Sequence, residues 1–368
     1  MEDLPDNKAP ERHTVTAEGA SVFTRFSFQV GRLRAYEWLS RNDITPAHMC
    51  LWHRALKERH GFTMEMFVFL LTILPCVAPK TLFNPPEGSE SSLRFAVIGD
   101  WGGLPLPPYH TKQEAHVAAE LGRTVANWGA DFILSVGDNF YYDGVKNVTD
   151  PRFKWLVEVE VKTPMDSHKN SVNGKFPDLY YDLSFKIPDT NASVRLLMLD
   201  TIVLCGNSDD FHEDQPMVAA NPKMANIQLD WLIKKLETAK DDYVLVVGHY
   251  PVWSIAEHGP THCLLHHVEP LLKKYKVTAY LSGHDHNMQY LQDDSGIGYV
   301  LSGAGNFMEN SRKHEAAVPM GYLRFFLGEG EPMGSFAYIK ITAKKMDITY
   351  IQSGGKSLFQ TTLHPRQL

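Results

Sequence analysis

Four short apolar runs in this chain end alike, and that repetition narrows the folds open to it more than any other feature. Residues 93–99 close on Gly99 and pass to Asp100, and residues 131–137 close on Gly137 and pass to Asp138, Asn139, Phe140 and Tyr141. Residues 243–248 lead into His249, and 277–283 lead into His284, Asp285 and His286. Each run is aliphatic or β-branched and too short for a helix, so it reads as a buried strand. A fifth strand is expected over 194–200. Between the runs lie segments of helical period: Ala118, Leu121, Val125 and Trp128 within 110–128, Leu229, Leu232, Ile233 and Leu236 within 226–240, and the stretch 264–275. Strands alternating with amphipathic helices predict an α/β fold. Residues 290–301 and 336–359 instead read as hairpins with Gly and Asp at their turns. A further antiparallel sheet is therefore expected to complete a β-sandwich flanked by helices, four layers in the order αββα.

In open α/β sheets a ligand sits beyond the carboxyl ends of the strands, which is where these polar residues gather. A single Gly-Asp after a strand is usually a turn, because Asp suits turns for backbone reasons. One His among 17 says as little. Jointly, Asp100, Asp138, Tyr141, His249, His284 and His286 bring two carboxylates, a phenol and three imidazoles to equivalent ends of neighbouring strands. Hard oxygen donors mixed with imidazoles suit borderline or trivalent first-row ions and not soft or alkaline-earth ones. Six ligands exceed one zinc site, whereas two ions about 3.5–4 Å apart sharing a carboxylate would use them all. A Tyr phenolate, normally protonated below a pKa of about 10, favours a strongly Lewis-acidic ion such as ferric iron.

Charge removes one class of partner. The net charge of −7 lies wholly in residues 80–368, since residues 1–79 hold nine basic and nine acidic side chains. Nucleic acid is thereby excluded as a bulk electrostatic partner. Four cysteines are too few for a disulfide scaffold; Cys205 and Cys263 lie in the acidic main body, Cys50 and Cys76 in the first 79 residues, and the count allows a bridge without fixing the compartment.

The one long apolar run, residues 66–78, follows the basic cluster His53, Arg54, Lys57, Arg59 and His60 and precedes polar, Pro-rich sequence. Its 13 residues are too few to span a bilayer, so no stable membrane span is expected. Length, basic flank and the small residues Cys76 and Ala78 fit a secretory signal, with Met64 or Met66 as its start. On that reading residues 1–63 are an upstream extension, 64–79 a signal-like segment and 80–368 the working domain. The alternative is a buried hydrophobic helix broken at Pro75 and Pro79. The sequons at Asn147 and Asn191 are glycosylation sites only if the chain enters the secretory pathway.

On these motifs the sequence resembles the purple acid phosphatases, most closely their small mammalian type. The likeness covers nearly all of residues 93–368, including Leu204–Phe211 and Gly248–Cys263. It implies a metallophosphoesterase-like sandwich, a lysosomal or secreted monomer, and hydrolysis of phosphate monoesters, phosphoproteins among them, at acidic pH by a metal-activated hydroxide. By motif, an Fe(III) ion would take Asp100, Tyr141 and His286, with Asp138 bridging to an Fe(II) or Zn(II) ion held by His249 and His284. His258 matches the family's histidine facing the substrate, and Cys205 and Cys263 match its disulfide. The polar loop 208–224 matches a segment whose nicking relieves repression, so an activating protease is an implied partner.

One element of the family is missing. The Gly-Asn-His-Asp/Glu motif that supplies an Asn ligand to the divalent ion and a His to phosphate has no counterpart between Phe153 and Phe176, where the chain is shorter. Val157, Val159 and Val161 alternate with Glu158 and Glu160, a pattern for an edge strand, and His168, Asn170 or Asn173 are candidate substitutes. Two rival readings follow: a catalytically weak binding or regulatory variant, and a phosphodiesterase or nuclease of the wider metallophosphoesterase group. Tyr141 and the acidic balance disfavour the second.

Overall fold

The computed structural model describes residues 90–367, apart from 143, 148, 153–177, 209–214 and 217, together with the backbone of 30–32. The signal-like segment 64–79, most of the upstream extension, and His168, Asn170 and Asn173 lie outside the described residues. Among the described residues no helix is long and apolar enough to cross a membrane.

Alternation along the strands builds the layers. In β2 (Leu93–Ile98) Leu93, Phe95 and Val97 point to one side and Ala96 and Ile98 to the other, and all five are buried. A strand buried on both faces needs cover on both. The first set joins a core shared with Val194, Leu196, Tyr243, Leu245, Leu281 and Val300 of a second sheet. The second set packs with Val117 and Leu121 of the helix α1 (Lys112–Trp128). The second sheet repeats the pattern: in β6 (Tyr243–Val247), Val244 and Val246 face Leu232, Leu264 and Leu272 of covering helices. Helix, sheet, sheet, helix is the resulting order, as expected from sequence.

The first sheet has the order β1 (Val30–Arg32), β3 (Phe132–Ser135), β2, β11 (Ser335–Ile341), β12 (Met346–Gln352) and β13 (Ser357–Leu363). Only β2 and β3 run parallel; Val30 pairs antiparallel with Leu134 at the edge. The second sheet has the order β10 (Leu323–Leu327), β8 (Met288–Gln292), β9 (Gly298–Ser302), β7 (Ala279–Ser282), β6, β5 (Ser193–Met198) and β4 (Tyr181–Lys186). Its central strands β5, β6, β7 and β9 are parallel, with antiparallel neighbours at both edges.

Two helices depart from the sequence reading. The helix expected over 226–240 begins earlier, as α3 (Pro222–Thr238), because Asn221 accepts a hydrogen bond from the Met224 amide and Pro222 occupies the first turn. It follows the short α2 (Thr201–Cys205), which the sequence reading did not mark. The helix expected over 264–275 is two, α4 (His262–His267) and α5 (Glu269–Lys274), meeting at Val268 with Pro270 in the first turn of the second.

The buried face of α1 is also more polar than its apolar spacing suggests, since Gln113, Glu114, Glu120 and Thr124 are buried beside Val117. Glu114 closes a capping box with Thr111. Burial pushes its carboxyl up to about 8, against the hydrogen bond from the Thr111 amide. The folded state thus retains a proton that the unfolded chain releases near pH 4.5. The associated stability is complete below that pH and is lost as pH rises towards about 8. Glu114→Gln removes this titration while keeping an acceptor for Thr111. Between about pH 5 and pH 8 the unaltered protein is expected to lose more than about 1 kcal/mol relative to that variant. Urea midpoints of both proteins at the two pH values measure the difference.

Candidate metal centre

The four strand ends named by the sequence come from both sheets and open at one end of the sandwich. Backbone bonds tie them: Gly99 N donates to Ser302 O (2.8 Å), Asp100 N to Gly137 O (3.1 Å) and Gly283 N to His249 O (3.0 Å). Asp100, Asp138 and His284 adopt left-handed backbone (φ 54°, 47° and 76°), a conformation non-glycine residues rarely hold unless surroundings fix it. The sharp turns at positions 100 and 284 are therefore made by the polar residues themselves. The preceding Gly283 is needed for space, because a Cβ there would collide with the Asp100 carboxylate. Gly137 answers both demands, with φ 121° and the His249 ring where its Cβ would stand.

These turns bring together all six sequence-predicted ligands. Tyr141 Oη lies 3.0 Å from His286 Nε2 and 3.5 Å from Asp100 Oδ1, and the latter is 3.7 Å from His286 Nε2. One ligand atom each of Asp100, Asp138 and His249 lie within 4.8 Å of one another. His249 Nε2 stands 3.4 Å from Asp138 Oδ1, while its Nδ1 is 3.0 Å from the Val136 carbonyl. A carbonyl only accepts, so Nδ1 carries the hydrogen and Nε2 is the nitrogen turned towards Asp138. The His284 ring lies 5.0 Å from that of His249 and stacks at 4.0 Å on His258.

His284 tests whether the cage suits a metal. It is buried, and among the described residues its Nε2 meets no hydrogen-bond partner. Burial, then the imidazoles of His258, His249 and His286, hold its pKa well below the ordinary histidine range. A neutral imidazole with an unused buried nitrogen suits a metal ligand. Asp100 is fully buried, whereas the side chains of Asp138 and His286 are 33% and 28% exposed. Solvent thus reaches the cage from one side.

Several residues around the cage were not singled out by the sequence. Asn306 donates its backbone N–H to Asp100 O (2.8 Å) and its Nδ2 to Gly102 O (2.7 Å). Phe307 packs edge-on against Tyr141 (5.2 Å) and beside His286 (5.5 Å). Neither belongs to a strand-end motif, and an isolated Asn-Phe has no period to detect. The remaining sequence-predicted sites are placed as follows. A disulfide joins Cys205 at the end of α2 to Cys263 in α4. Asn147 and Asn191 are both exposed. In the loop 208–224, Gln215 donates to His258 O (3.1 Å) and Pro260 O (2.9 Å) and accepts from His262 N (2.9 Å).

Residues 93–288 match the family model described as calcineurin-like phosphoesterase. Tartrate-resistant acid phosphatase type 5 of Homo sapiens is 50% identical over 327 residues, covering 83% of this chain and 99% of that protein. Purple acid phosphatase 17 of Arabidopsis thaliana is 27% identical over 280 residues, covering 70% of this chain and 81% of its own. Among solved structures, GAP50, the anchor in the inner membrane complex of Plasmodium, aligns with a TM-score of 0.61 at 23% identity over 76% of this chain and 90% of that one, a likeness of fold. By the extent of the family match and the half identity to the human protein, this chain belongs to the calcineurin-like phosphoesterases, on the branch of the tartrate-resistant acid phosphatases.

Proposed function

We propose that the protein hydrolyses phosphate monoesters at acidic pH with two metal ions, Fe(III) and Fe(II) or Zn(II). The observation that carries this reading is the meeting of Asp100, Asp138, Tyr141, His249, His284 and His286 in one cage. Asp100, Tyr141 and His286 would hold the ferric ion, His249 and His284 the divalent one, and Asp138 would bridge them. When bound, the ions supply Lewis acidity that lowers the pKa of water and offsets phosphate charge. His258, stacked on His284, orients phosphate and hands a proton to the leaving oxygen. The buried walls Phe95 to Val97 and Tyr243 to Val247 keep the strand ends rigid beneath it.

Secretion or lysosomal residence is supported by the disulfide and by the exposure of both sequon asparagines. The human relative is covered to 99% while about a sixth of this chain lies outside the match, the size of segment 1–63. That proportion supports reading the first 63 residues as an extension.

A second reading, a binding variant with little turnover, is favoured by the absent Gly-Asn-His-Asp/Glu motif alone. One preparation separates them. Iron-loaded protein near pH 5 is expected to hydrolyse a monoester faster than a diester and to show a visible phenolate-to-iron band that Tyr141→Phe abolishes. Colour without turnover supports the binding variant, and a faster diester overturns the monoesterase.

A further inference from the structure

We propose that Asp285 and Ser254 are positioning residues for His258, fixing its ring so that one nitrogen faces the leaving oxygen of the substrate. The proposal rests on the phosphatase reading and extends it to residues that hold no metal. Asp285 lies between the candidate ligands His284 and His286, yet its side chain points elsewhere, into a fully buried site. Its Oδ1 accepts the His258 backbone N–H (3.0 Å) and lies 2.9 Å from His258 Nδ1. Its Oδ2 is bonded to Ser254 Oγ. Ser254 in turn accepts from Ala256 N (3.1 Å) and from Gln289 Nε2 (2.8 Å), and Gln289 Oε1 accepts from Ile255 N (3.0 Å). The turn 254–258 is thereby wired to β8 and to the ligand loop through side chains that are all buried.

The chemistry follows from the donor inventory. Asp285 Oδ1 already accepts the His258 backbone N–H and Oδ2 the Ser254 hydroxyl, so the contact with the ring has Nδ1 donating and directs Nε2 away from the carboxylate. A carboxylate in that place fixes the ring, the logic of a histidine oriented by a third group. In the step served, a water oxygen bonds to phosphorus while the ester P–O bond breaks. The electron pair of that bond moves to the leaving oxygen, which takes the proton from His258 Nε2. The water's surplus proton passes to solvent, and solvent restores the imidazolium.

An alkyl leaving group needs that proton, whereas 2,4-dinitrophenolate departs without it. Ser254→Ala is the main test, because Ser254 touches Asp285 and not a candidate ligand, whereas Asp285 stands directly between His284 and His286; Asp285→Asn is the second. Both are expected to lower kcat for 2-glycerol phosphate by about tenfold or more and kcat for 2,4-dinitrophenyl phosphate by less than about threefold, with KM little changed and bound metal and visible band retained. Ser254→Thr is expected to restore the alkyl ester. In zinc-loaded protein, a downfield N–H proton resonance that His258→Ala removes should also vanish in Asp285→Asn. His258→Ala showing the split between the two esters while Ser254→Ala and Asp285→Asn do not would overturn the positioning role alone. Persistence of the resonance in Asp285→Asn would overturn it as well. An unaltered, metal-loaded protein that turns over neither ester would overturn the phosphatase reading and this proposal with it.

Discussion

Exchanging Asp138 for Asn is expected to lower kcat for phosphate monoesters by about 10³-fold and to release the more weakly held ion. Asp138 sits on left-handed backbone directly after Gly137, which aims its carboxylate at Asp100 and His249. A carboxylate carries charge on two oxygens and can bind an ion through each; an amide offers one neutral oxygen and two hydrogens that repel cations. The substitution changes almost no volume at a position about a third exposed, so the fold is expected to persist. The two ions should not respond equally. On the proposed assignment the ferric ion keeps Asp100, Tyr141 and His286, whereas the divalent ion keeps only His249 and His284, having no family Asn ligand to fall back on. Metal analysis after dialysis should therefore show the divalent ion falling first while the visible band survives in weakened form. Full metal content with undiminished turnover in Asp138→Asn would remove Asp138 from the site.

How much of this was legible in the sequence depends on whether a residue's role is set by its own neighbours in the chain or by distant ones. The strand-end residues could be read because strand, glycine and ligand are contiguous, as in Val136, Gly137 and Asp138. The layer order could be read because apolar runs such as 93–99 alternate with helical periods such as Ala118, Leu121, Val125 and Trp128, while 336–359 pairs as hairpins. The edge strands β4 and β10 escaped: Asp182 and Ser184, or Arg324, interrupt their apolar runs, as partly exposed edges permit. The start of α3 escaped because Asn221 and Pro222 resemble loop residues until Asn221 is seen to accept from Met224. Asp285 was visible between two histidines, but its partners Ser254 and His258 are 31 and 27 residues away, and no spacing rule links them. The purpose of Gly283 is likewise a matter of the Asp100 carboxylate that folding brings to it.

Removing the disulfide in Cys205→Ala/Cys263→Ala should separate stability from chemistry. The bond closes a stretch of 58 residues that includes β6, His249 and His258. A loop of that size loses about 4 kcal/mol of unfolded-state freedom on the chain-entropy account, and removal of native bonds commonly costs 2–5 kcal/mol. Alanine is the replacement of choice because Cys205 is buried and a serine hydroxyl there would need a new partner. The segment around His258 is held independently. Gln215 binds the His258 and Pro260 carbonyls and the His262 amide, while Asp285 binds the His258 amide. Those bonds survive loss of the sulfurs, so the cage should keep its shape at temperatures where the protein stays folded. The double variant is expected to unfold at a lower urea midpoint, by an amount equivalent to about 2–5 kcal/mol, while its kcat at low temperature falls less than about threefold. Equal midpoints would show that the unfolded chain gains nothing from release of the loop. A fall in kcat as large as that of Asp138→Asn would show instead that the disulfide, and not the hydrogen bonds of Gln215 and Asp285, holds His249 and His258 in register with the rest of the site.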